Sequence, residues 1–139
     1  MTPDQITRVE SSFGKLAPIS ATAGTLFYRR LFELDPGLRP MFTGDLSAQS
    51  RKLMAMIALV VDNLHQFATL LPQVQALGRE HVGYGVQAAH YDTVGAALLW
   101  TLRTGLEEQF TAEDEEAWAA AYAMLADAMQ AAGPPLTAP

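Results

Sequence analysis

The sequence contains no cysteine, which excludes disulfides, thiolate-bound zinc, iron–sulfur clusters and thiol nucleophiles. It is also short of positive charge. Nine Lys and Arg stand against fifteen Asp and Glu, a net charge of −6. Nucleic acids and anionic membranes are bound through clustered cations, so neither is an expected partner. Long apolar runs are missing too. The longest, LMAMIALVV (53–61), is about half a membrane-spanning helix, and no membrane insertion is expected. The N-terminal MTPDQITRVE has no basic stretch followed by an apolar one, so no signal peptide is expected and the assigned location is cytoplasmic. P-loop, HExxH and GxSxG motifs are absent, and Gly83-Tyr84-Gly85 reads as a helix-ending loop rather than a dinucleotide fingerprint. Histidine is scarce: His65, His81 and His90 are the whole stock of imidazole.

What is present is apolar. Hydrophobic residues make up 50% of the 139 and charged residues 17%, a composition that folds rather than stays disordered. The length suits one domain with a real core, expected over residues 1–133, with a frayed tail at 134–139.

The pattern is helical throughout, and the predicted fold class is all-α. Thr2-Pro3-Asp4-Gln5 reads as a capping box, followed by Ile6, Val9, Phe13 and Leu16 at helical spacing. Ser20 is positioned to cap a second helix carrying Phe27 and Leu31, which Asp35-Pro36-Gly37 stops. Ser47 is expected to open a third, with Leu53, Met56, Ile57 and Val60 inward. Pro72 starts a fourth, ended by Gly83 and Gly85. A long helix is predicted from about Ala89 to Gln109. Thr111 caps the last, whose inner face reads Trp118, Tyr122, Leu125 and Met129.

Two polar groups have inward addresses. Val74, Leu77 and His81 follow at i, i+3 and i+7, which places His81 on an apolar helix face. A buried imidazole is either a hydrogen-bonded core histidine or a metal ligand, and spacing does not choose between them. Gln49 precedes Leu53 by four and Met56 by seven, so its amide either points along the apolar stripe or is solvated near the helix end. An ordinary connection would make these two helices antiparallel. If both faces look into one cavity, its walls carry an imidazole and an amide. That arrangement suits a metal cofactor held by one protein ligand, with a polar group opposite.

The sequence resembles the bacterial single-domain globins and the globin module of flavohaemoglobins. The resemblance rests on Leu-Phe-Tyr (26–28), Asp-Pro-x-Leu-x-x-x-Phe (35–42), Gln-Ser-Arg-Lys-Leu (49–53), His81 with Tyr91 ten residues later in His-Tyr-x-x-Val-Gly (90–95), and Ala-Trp with Tyr in 117–122. It covers roughly residues 1 to 132. It implies a globin fold enclosing haem b, with His81 as the axial ligand. It further implies that Phe42 packs on the porphyrin, that Tyr28, Gln49 and Leu53 form the distal gas pocket, and that Tyr91 lies on the proximal side. Arg51, Lys52 and Arg79 are either partners of the haem propionates or simple solvated cations.

The implied activity is reversible binding of O2, with NO and CO as further ligands. The alternative is a nitric oxide dioxygenase that draws electrons from an external reductase, and a gas or redox sensor is a third possibility. Flavohaemoglobins place a glutamate late in the last helix beside the proximal tyrosine and histidine. Counted from Trp118, that position here is Pro135.

Overall fold

The computed structural model describes residues 1–42, 44–83 and 87–131. Six α-helices carry the chain: α1 (Pro3–Leu16), α2 (Ser20–Leu34), α3 (Leu46–Asp62), α4 (Leu71–Gly83), α5 (Ala88–Leu106) and α6 (Ala112–Ala131). Short 3-10 turns at Ala17–Ile19, Pro36–Met41, Leu64–Leu70 and Glu107–Gln109 join or extend them, and no strand occurs among the described residues.

Local chemistry sets most helix starts. Thr2 Oγ1 accepts from the Gln5 N–H at 3.1 Å while the Thr2 N–H donates to Gln5 Oε1 at 3.0 Å, the reciprocal capping box expected from the sequence. Thr111 and Asp114 repeat the device at α6. At the corner after α2, Asp35 accepts from the Gly37 N–H at 3.0 Å and turns the chain.

Two expected caps differ. Ser20 is the first residue of α2 and makes no cap, because the turn at 17–19 runs on into the helix from α1. Ser47 does not open α3: Asp45 is the cap, its carboxylate accepting from the Ser47 N–H at 3.0 Å. A carboxylate at that place also meets the positive end of the helix dipole. Helix α5 stops at Leu106 rather than Gln109, since Glu107 turns out of the helix with φ 53°.

The core is two adjoining clusters. The larger gathers Val9 and Leu16 of α1, Phe27, Tyr28 and Leu31 of α2, Val60 and Val61 of α3, Leu98 and Leu102 of α5, and Trp118 of α6. Trp118 brings its indole N–H inside, where it donates to Ser12 Oγ at 2.7 Å, and Ser12 Oγ donates to the Arg8 carbonyl at 2.6 Å. The buried donor is thereby satisfied. The smaller cluster joins Leu70, Val74, Tyr91, Ala126 and Met129 under α4.

Small residues set the closest approaches. A methyl group at Gly24 would stand 2.7 Å from Ser50 Cβ, so α2 and α3 cross there almost in backbone contact. One at Gly78 would overlap the Met129 carbonyl oxygen, which seats α4 directly on the backbone of α6. Helix α3 packs chiefly against α2, and α4 against α6. Between Leu46–Asp62 and Leu64–His81 the chain turns through 111°, so α3 and α4 splay where an antiparallel pair was expected. The 3-10 run at Leu64–Leu70, broken at Gln66, makes that wide turn. No single described helix is long and apolar enough to cross a membrane. The expected tail at 134–139 and the helix-ending Gly85 lie outside the described residues.

Candidate functional site

Tyr28 sits on the face of α2 that turns toward α3, 5% exposed. Its phenol is hydrogen-bonded to the Gln49 amide on the first turns of α3. Burial pushes the phenol above its ordinary pKa, the bond to Gln49 pulls the other way, and burial wins. The hydroxyl therefore keeps its proton at neutral pH and remains a donor. Leu53, one turn on from Gln49, is half-buried and packs into the same core. Tyr28 and Gln49, two of the residues expected to share a pocket, thus meet where α2 crosses α3.

Phe42 is held against this group by aromatic edges. Its ring lies 5.3 Å from that of Tyr28 and 5.6 Å from that of Phe32, both edge-on, and Phe27 meets Tyr28 edge-on at 5.0 Å. Arg39 fixes the backbone there. Its guanidinium donates to the Phe42 carbonyl at 2.6 Å and lies over the Phe32 ring at 5.3 Å. Neither Phe32 nor Arg39 was singled out in the sequence. Arg39, three residues before Phe42, was within local reach, whereas Phe32 lies on α2 across the Asp-Pro corner and left no spacing signal.

His81 lies on the last turns of α4 and is half-buried. Its Nδ1 is 2.7 Å from the Leu77 carbonyl oxygen, which only accepts, so Nδ1 carries the proton. In that tautomer the lone pair is on Nε2, the nitrogen suited to a metal. Tyr91 is buried at the start of α5 in the cluster beneath α4, and burial raises its pKa. The residue that the sequence reading did not connect to it is Tyr122, whose hydroxyl donates to the Tyr91 carbonyl at 2.6 Å. Its ring closes on Gly95, where a methyl group would meet it at 2.8 Å. Tertiary partners of this kind leave no spacing signature.

The other two histidines are elsewhere. His65 is exposed near Glu10 at 3.6 Å, and His90 Nδ1 accepts from the Gln87 N–H at 2.9 Å in the cap of α5. Arg79 is half-buried, while Lys52 and Arg51 are exposed, and none of the three forms an ion pair among the described residues. Pro135 lies outside the described residues.

Six helices with no strand among the described residues, and α3 splayed from α4, make an all-α fold of the globin type. Comparison with known proteins agrees: residues 25–129 match the globin family. The chain belongs to the globin family. Among curated relatives it is similar to the flavohemoprotein of Bordetella parapertussis, with 38% identity over 104 residues, 73% of this chain and 26% of that protein. The flavohemoprotein of Vibrio cholerae is 33% identical over 132 residues, 91% of this chain and 33% of that protein. That of Chromobacterium violaceum is 36% identical over 106 residues. The chain spans about a quarter to a third of the length of these relatives.

Proposed function

We propose that the protein binds haem b between α3 and α4 and uses it to bind O2 reversibly, for transport, storage or protection. The observation that carries the haem reading is the state of His81, inside a chain of the globin family. No group of three His, Asp or Glu side chains among the described residues would hold a bare metal ion. One correctly protonated imidazole is enough only where a macrocycle supplies the other ligands. The relatives' printed name, flavohemoprotein, also points to haem. When bound, haem b supplies an iron centre able to take up O2, NO or CO.

The chain's own residues do the rest. The Leu77 carbonyl, bonded to Nδ1, fixes the tautomer and ring plane of His81. Tyr28 and Gln49, held in register by their mutual bond, would supply hydrogen-bond donors to a bound gas ligand. Leu53 and Phe42 line the space and exclude water. Tyr91 packs on the proximal side. Arg79 and Lys52 are the cations for the haem propionates. Arg51, about 200° round α3 from Gln49, is a third candidate cation. We place residues 1–133 in one globin unit that works in the cytoplasm.

The name of the relatives joins a flavin to the haem, which favours a second reading: a nitric oxide dioxygenase served by a flavin-bearing reductase. The reaction combines NO with O2 and one electron to give nitrate, so sustained turnover requires that electron source. Reversible O2 uptake by the ferrous protein, with no more than one equivalent of nitrate when NO and a cellular reductase are added, supports the binding reading. Continuous nitrate formation at many equivalents per protein replaces it with the enzyme. Failure to take up O2 at all refutes both.

A further inference from the structure

Along the α2–α3 crossing lies a concavity of about 720 Å³, within the range of small-molecule sites. Its polar wall is made by Ser20, Thr25, Arg29, Ser47, Ser50 and Arg51. Its apolar lining includes the Phe32 ring and Met54, and the Tyr28 ring forms part of its floor. No carboxylate lines it, although acids outnumber bases fifteen to nine in the chain. Arg29 and Arg51 are exposed, and neither forms an ion pair with a described residue. Ser20 of α2 and Ser47 of α3 add hydroxyl groups to the lining.

From this lining we infer that the groove is a binding site for a small organic oxyanion, a carboxylate or phosphate monoester on a compact apolar body. The arginines, one from each helix, take the oxyanion through paired N–H donors, which is the geometry guanidinium groups favour. The hydroxyls take the remaining oxygens, and the body rests on Phe32 and Met54. An occupant there lies against Tyr28, whose hydroxyl meets Gln49. The site stands on the protein surface itself and does not depend on the haem reading.

The test is calorimetric titration of the purified full chain with phenyl phosphate and, separately, with benzoate. Saturable binding of either probe is expected, and comparing the two identifies the preferred head group. Arg29→Gln combined with Arg51→Gln should weaken it at least tenfold. Both side chains are exposed, so the double variant should keep its helical circular dichroism. Arg103→Gln, which removes an arginine paired with Glu115 outside the groove, should leave the affinity unchanged. Absence of saturable binding by both probes overturns the proposal. Equal affinity in the folded double variant, or an equal loss in Arg103→Gln, overturns it too.

Discussion

Gly78 of α4 lies so close to Met129 of α6 that a single methyl group would overlap the Met129 carbonyl oxygen. Backbone cannot yield as a side chain does, so Gly78→Ala must displace α4, the helix that presents His81 three residues later. The expected cost is that of overpacking, about 1–3 kcal/mol. Urea denaturation of the variant should show it as a lower midpoint, with weaker haem retention. An unchanged midpoint would mean that the α4–α6 contact is looser than it stands here.

The pairing of Tyr28 with Gln49 gives the second expectation. Tyr28→Phe keeps the ring, its packing on Phe42 and Phe27, and removes only the hydroxyl. A hydrogen bond contributes about 0.5–1.5 kcal/mol, so oxygen release should become several-fold faster. CO has less need of a donor and should be released at a rate changed much less. Stopped-flow measurement of both off-rates checks this, and an unaltered oxygen off-rate would remove Tyr28 from the gas pocket.

Three tyrosines predict alkaline sensitivity. Burial raises the pKa of Tyr28, Tyr91 and Tyr122, with the Tyr91 and Asp92 charges adding to the effect at Tyr122. Above about pH 10 the unfolded chain loses phenolic protons that the folded chain keeps. Unfolding then releases protons, so stability is intact below that pH and falls as pH rises beyond it. The urea midpoint should drop between pH 9 and pH 11, and Tyr122→Phe should show a smaller drop than the parent. A midpoint independent of pH in that range would contradict the burial of these phenols.

Much of this was legible in the sequence wherever the determining interaction is local. The Thr2–Gln5 box, the Asp35–Gly37 corner, the Thr111 cap and the inward stripe of α6 depend on residues a few positions apart. Asp45 was overlooked because Ser47 is also a good cap, and only the backbone path into α3 decides between them. The inward address of Gln49 could be read from its spacing to Leu53, but its partner Tyr28 lies on another helix. The Gly24–Ser50, Gly78–Met129 and Tyr122–Tyr91 contacts were illegible for the same reason. A glycine that lets two helices touch looks in sequence like any glycine in a helix. The 111° turn between α3 and α4 likewise arises from the packing of each helix on a different neighbour.

Haem titration of the parent protein and of His81→Ala, followed in the Soret region and then by gel filtration, tests the central claim most directly. Circular dichroism of both apo-proteins, run alongside, separates loss of the ligand from loss of the fold. The parent should bind haem and carry it through the column with an intense Soret band. The folded variant should lose most of it. A parent protein that shows no Soret band after haem addition, or a variant that retains haem with an unchanged spectrum, would contradict the assignment of His81 as the axial ligand.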